Sequence, residues 1–155
     1  MAAKSNEILI GGTVLFKDSR GKRYFLVVKQ GEDSDWELPK IAVRRGESSV
    51  RAVIRMTGEM AGMNARVLEE AGRFSGVVTI NGKVLTQRSL YYLMVQKAGG
   101  SELIGFEKSE WMDYGKAAKK LGSKREKDIL KQGKEVLKEW EKAHKKGKNN
   151  LLKDW

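Results

Sequence analysis

Apolar and polar positions follow two different periods along this chain, and the places where the period changes outline its elements. Residues 8–16 and 23–29 are rich in β-branched and aromatic side chains, and the polar link Asp18-Ser19-Arg20-Gly21 has turn chemistry, so the pair reads as a β-hairpin. An acidic loop over residues 31–35 leads to Trp36, Leu38 and the only proline, Pro39. From Ser48 the period lengthens. Val50, Val53, Ile54, Thr57 and Ala61 recur at helical spacing and are expected to face the core. Ser48 or Ser49 can cap this helix through its hydroxyl oxygen, and Gly62 is placed to end it in a left-handed conformation. Strands are expected over residues 73–80 and 84–95, which flank the hairpin dipeptide Asn81-Gly82. Gly99-Gly100 marks a loop before a short strand near residues 103–106, and a short helix follows over 114–121. Ser123-Lys124-Arg125-Glu126 reads as a capping box that opens a longer helix, whose apolar stripe is Ile129, Leu130, Val136, Leu137 and Trp140. The order β, α, β, α indicates an α+β or three-layer α/β/α domain.

Composition narrows the chemistry. A chain of 155 residues suits one core, expected here as a single domain over residues 1–144 followed by a basic, flexible tail over 145–155, from which Leu151, Leu152 and Trp155 can dock. No run of apolar residues approaches a membrane span and no charged-then-apolar leader opens the chain, so a cytoplasmic location is expected. There is no cysteine and one histidine, His144, which excludes thiol chemistry and histidine clusters and leaves carboxylates, hydroxyls, lysine and arginine. The net charge of +11 makes a polyanion a natural partner. Most of it lies late: from Lys116 onward there are 14 Lys and Arg against 6 Asp and Glu.

Glu47, Arg55, Glu59 and Gly62 stand at the intervals of a known signature, G-x5-E-x7-R-E-U-x-E-E-x-G-U with U apolar. Around them the lead-in Leu38-Pro39-Lys40-Ile41, then Trp111, Ala117-Ala118, Leu121 and Ile129-Leu130, continue the likeness over most of residues 7–140. The chain resembles the Nudix family, and within it the branch of dinucleoside tetraphosphate and diphosphoinositol hydrolases. That resemblance implies an α/β/α sandwich around a mixed β-sheet. It also implies Mg2+ or Mn2+ bound by clustered carboxylates, and cleavage of nucleoside diphosphates linked to another group. Glu59 would be a metal ligand and Glu107, four residues before Trp111, a late one. Glu47 and Arg55 would brace the loop against the helix.

The same positions depart from the signature in a consistent direction. Ile41 stands where the family has glycine, and a β-branched residue disfavours positive φ. Met56 and Met60 stand where it has glutamates, on the side of the helix expected to lie away from the core stripe. A thioether is a soft, poor ligand for magnesium. Val53, Met56 and Met60 therefore read as an apolar strip, either closed and packed or open to a protein partner. Arg44, Arg45 and Arg51 stand where the family often carries glutamate, proline or glutamate. With Lys40, Arg55, Lys83, Arg88 and the tail they are expected to form one basic surface suited to phosphates. Trp36 and one of Tyr91 and Tyr92, taken as Tyr92, are expected to offer a stacking face.

Three functions follow. The first is a protein with a degenerate box that binds RNA, a nucleoside polyphosphate or a ribonucleoprotein surface with little or no hydrolysis. The second is a working Mg2+- or Mn2+-dependent hydrolase of nucleoside polyphosphates or capped RNA that uses Glu59, Glu47 and Arg55. The third is a protein-interaction module built on the Val53/Met56/Met60 strip.

Overall fold

A computed structural model describes residues 7–98 and 105–144, with the backbone alone at Met60, Ala61 and Ala98. Its elements run β1 (Glu7–Ser19), β2 (Lys22–Lys29), β3 (Lys40–Ala42), α1 (Ser49–Ala61), β4 (Asn64–Ile80), β5 (Lys83–Ala98), β6 (Lys108–Met112), α2 (Tyr114–Lys120) and α3 (Lys124–Ala143). The six strands form one mixed sheet in the order β4-β5-β1-β2-β6. β1 and β5 are parallel, and every other pairing is antiparallel. One edge of β1 is shared by two partners: β3 pairs with Ile10 to Gly12 and β2 with Phe16 to Ser19.

Alternation along the strands sends successive side chains to opposite faces, and both faces are covered. Val14, Phe16, Phe25, Val27, Tyr91, Leu93 and Val95 meet Ile129, Leu130 and Leu137 of α3 and Ala117 of α2. Leu15, Leu26, Val28 and Met94 meet Val53 and Met56 of α1 on the other side. The result is the three-layer α/β/α arrangement expected from the element order.

Three glycines permit close approaches, two between layers and one within the sheet. A Cβ on Gly11 would lie 2.9 Å from the Ser49 carbonyl oxygen, and one on Gly12 would enter the Tyr91 ring. A Cβ on Gly133 would lie 2.9–3.1 Å from three side-chain carbons of Val14. Both tight hairpins have two-residue turns with positive φ, at Arg20-Gly21 and at Asn81-Gly82. Turns of this kind match the natural twist of the strands they join. Gly62 ends α1 at φ 58°, as expected, and Ser48 is the cap, its Oγ accepting from the Arg51 N–H at 3.2 Å.

Several expectations need correction. Ile54 was placed in the core but is 48% exposed, and Met56, placed away from the core, is fully buried. The helix carries apolar residues on both sides of its axis, and close contact between Gly11 and the first turn decides which side meets the sheet. β4 begins at Asn64, earlier than the expected 73–80. Register shifts between Asn64 and Gly72 break the two-residue period, which hides this part of the strand from a pattern search. The first described strand beyond the loop is β6, and residues 105–106 of the expected 103–106 lie outside any strand. Gly99-Gly100, Leu103, Ile104 and residues 145–155 lie outside the described residues. No helix among the described residues is long and apolar enough to cross a membrane.

Candidate functional site

The loop from Ala42 to Ser48 is closed onto α1 by one ion pair. Arg55 Nε donates to Glu47 Oε2 at 2.9 Å and Arg55 Nη2 to Oε1 at 3.0 Å, a planar two-point contact. The same Nη2 reaches the Ala42 carbonyl at 3.2 Å, and Glu47 Oε1 also accepts from the Arg44 N–H at 3.0 Å. The loop turns at Gly46, where φ is +79°. These bonds, led by those from Arg55, hold the Glu47 carboxyl down at about 2. The bond to Glu47 in turn raises the Arg55 guanidinium above its usual value. Both groups are spent on each other and on the loop, which is the bracing role that the resemblance implied.

Three exposed arginines frame the beginning of α1: Arg44 and Arg45 on the loop and Arg51 in the first turn. That turn carries no acidic residue. The partial positive charge of a helix N-terminus adds to theirs, so the surface here is suited to an anion.

Further along α1, Glu59 is exposed and close enough to Arg55 to add to its positive shift. Met56 is not beside it. Its side chain is fully buried with Leu15, Leu26, Val28 and Met94. Met60 is described by its backbone alone. Ile41 lies in β3 opposite Gly11, in extended backbone with no positive φ. Glu107 is exposed before β6, where its N–H bonds the Lys29 carbonyl at 2.8 Å.

These donors do not fit a hard divalent cation. Glu47 is committed to Arg55, Met56 offers a buried thioether, and Glu59 stands without a second carboxylate on its helix face. Among the described residues no group of three or more His, Cys, Asp or Glu side chains is placed to hold a metal ion.

Other candidates separate from this surface. The expected Val53/Met56/Met60 strip is not a surface, because Val53 and Met56 are both fully buried. Lys40 turns away from α1, pairing with Glu126 at 2.7 Å and Glu37 at 3.3 Å. Arg88 pairs with Glu7 at 3.3 Å. Lys83 lies beyond the body at the tip of the β4–β5 hairpin, roughly 20 Å along β5 from Leu90. Tyr92 is half-buried against the α1-side core with its hydroxyl bonded to Ser49, and Tyr91 is fully buried and offers no stacking face. Trp36 is half-buried against the α3-side core with Lys29 over its ring. Among the described residues the expected basic surface is interrupted, since Lys40 is drawn to Glu126 of α3 while Arg44, Arg45 and Arg51 stand at α1; the tail lies outside the described residues.

Glu126 was read as half of a capping box. Ser123 does accept from the Glu126 N–H at 3.3 Å, but the carboxylate leaves the cap and enters the core. It accepts from the Leu38 N–H at 2.9 Å, Lys40 Nζ at 2.7 Å and the Tyr91 hydroxyl at 2.6 Å. Burial, reinforced by that carboxylate, pushes the Tyr91 phenol well above its ordinary range. The signal was present in the spacing: Glu126, Ile129, Leu130, Gly133 and Leu137 are the buried residues of α3 and share one helical stripe. Glu126 thereby ties α3 to the segment that leads into the box.

No protein-family model matches the chain, and no curated protein matches it. Solved structures do. An Ap4A hydrolase binary complex from C. elegans superposes with a TM-score of 0.65 at 20% identity, over 84% of this chain and 97% of that one. The dihydroneopterin triphosphate pyrophosphohydrolase of E. coli gives 0.61 at 13% identity, over 80% and 92%. The NUDIX domain of Shewanella oneidensis NrtR complexed with ADP ribose gives 0.61 at 16% identity, over 84% and 88%. At such identities the likeness is one of architecture, and the architecture of this chain is the Nudix fold.

Proposed function

We propose that this chain binds a phosphate-rich nucleotide ligand, a nucleoside polyphosphate or an RNA end, at the arginine-framed start of α1, and hydrolyses it little or not at all. The observation that carries this reading is the burial of Met56: the residue at a family metal-ligand position is part of the core and supplies no oxygen. Arg44, Arg45 and Arg51 support phosphate recognition without a metal, since guanidinium groups match phosphate oxygens in pairs. The NrtR domain's complex with ADP ribose supports a diphosphate-containing ligand. The reading includes the cytoplasmic location expected from the sequence, with a ribonucleoprotein as a partner that could present such a ligand.

The test is calorimetric titration with diadenosine tetraphosphate and ADP ribose, with and without Mg2+ or Mn2+. Binding is expected without metal and at least tenfold weaker in R44Q/R45Q/R51Q. Turnover is expected to be near background. Metal-dependent release of mononucleotide that is lost in Glu59→Gln would overturn this reading and favour the second one, an active hydrolase. That second reading rests on the hydrolase neighbours and would use Glu59, with Glu107 as a remote carboxylate.

A further inference from the structure

The other face of the molecule carries a feature that the box does not use. Lys124, Lys127, Lys131, Lys134, Lys138 and Lys142 of α3 are all exposed. Their spacing of three and four residues places them within an arc of about 80° around the helix axis. No acidic residue of α3 falls inside that arc: Asp128, Glu135 and Glu139 lie on its β4-facing flank, and Glu141 beyond its other edge. From first to last the row runs about 27 Å, with a lysine roughly every 5 Å. Among the described residues none of the six is in an ion pair, and Lys134 alone is engaged, 4.1 Å over the Tyr114 ring. Tyr114 begins α2, whose Lys119 and Lys120 are exposed and whose Lys116 is paired with Glu110 at 3.3 Å.

Beside Lys134 and Lys138, about midway along the row, is a pocket of about 370 Å³. Its apolar part is Phe25, Tyr114 and Leu137, the first and last almost fully covered, and the charged Arg23, Glu135 and Glu141 complete its lining, with Arg23 paired to Asp18 and Glu141. A row of cations outside ion pairs, next to a recess with one accessible aromatic ring, Tyr114, fits a chain of phosphates with a flat side group. It does not fit a lipid surface equally well. Membrane-surface helices set apolar side chains beside their basic face, and the exposed large hydrophobics described here, Ile54, Val77, Ile80 and Val84, all lie off α3.

We propose that the α2–α3 face binds single-stranded nucleic acid, its backbone following the lysine row and one base seated in the pocket beside Lys134. A single row matches one strand, and a paired base has no access to the recess. This deepens the RNA part of the proposed function but uses a surface on the opposite side of the sheet, so the two stand or fall separately.

The experiment is fluorescence anisotropy of the full chain with a labelled 20-nucleotide oligo-U. The same length of single-stranded DNA, a duplex, and phosphatidylserine–phosphatidylcholine vesicles serve as the other arms. Neutralising about five phosphates of a single strand gives a log–log salt slope near −3.5, a loss of about 100-fold between 50 and 200 mM salt. K127Q/K131Q/K138Q is expected to weaken binding at least tenfold and to flatten the slope by about two. Its thermal melt and its titration with diadenosine tetraphosphate should match the parent. The charge-matched control K17Q/K29Q/K108Q should bind as the parent does. Preference for either single strand over duplex supports the proposal, and the RNA-to-DNA ratio identifies which is read. Salt-insensitive binding, equal loss in the control, a preference for duplex, binding of vesicles but not oligonucleotide, or no binding would each overturn it. If oligonucleotide binding holds while diadenosine tetraphosphate fails to bind, the box reading falls and this one remains.

Discussion

Glu47 lies under the two-point contact from Arg55, and the pH dependence of stability follows from that contact. Its carboxyl falls from an ordinary 4.5 to about 2 on folding. A group depressed in this way contributes fully above its unfolded value, and the contribution fades as pH falls from about 4.5 toward 2. Urea melts over that range should show a steeper loss for the parent than for Arg55→Met; equal slopes would mean that the pair does not hold the loop. Met56 yields a second prediction. Met56→Glu buries an unpaired carboxylate and should cost about 2–4 kcal/mol. Millimolar Mg2+ should not restore it, as denaturation with and without the ion will reveal. A variant as stable as the parent and further stabilised by Mg2+ would mark position 56 as a recoverable ligand. Spacing identified the Glu47–Arg55 pair. It misplaced Met56, because a period defines a helix face but not which way that face is turned.

At the scale of elements, α3 is held by close packing and one buried carboxylate. Gly133 rests on Val14 so closely that an added Cβ meets three of its side-chain carbons, including Cβ. Rotating Val14 cannot clear all three. Gly133→Ala should therefore lose about 1–3 kcal/mol from overpacking, although alanine is the better helix former. Thermal melts will decide the sign, and a stabilised variant would mean that α3 sits further from β1. Glu126→Leu leaves the Tyr91 hydroxyl and the Leu38 N–H without their acceptor and leaves Lys40 to Glu37. Removing one partner of a buried pair costs about 3–5 kcal/mol, and Lys40 keeps some solvent access, so a loss near 3 kcal/mol is expected in chemical denaturation. No measurable loss would reduce the carboxylate to a bystander. These elements were largely legible in the sequence: both hairpin turns, the Gly62 stop and the apolar stripe of α3. The early half of β4 was not, because its bulges erase the alternation on which a strand is recognised.

For the whole molecule, the distribution of charge over two faces counts for more than the total of +11. The arginines at the start of α1 and the lysine row of α3 stand on opposite sides of one sheet. Ligands on the two should bind without competing, so saturating diadenosine tetraphosphate should change oligo-U affinity by less than about twofold. Strong mutual competition would place both on one surface. Composition excluded thiol chemistry and histidine clusters, and spacing identified the fold, because local turns, caps and periods are properties of short stretches of chain. Which basic residues act together, whether Met56 faces a ligand or the core, and that Glu126 leaves its cap to join β3 and β5 were decided by tertiary structure alone. Each depends on the rotation of a helix against the sheet and on which face of the sheet it covers, and those are set by contacts between residues tens of positions apart.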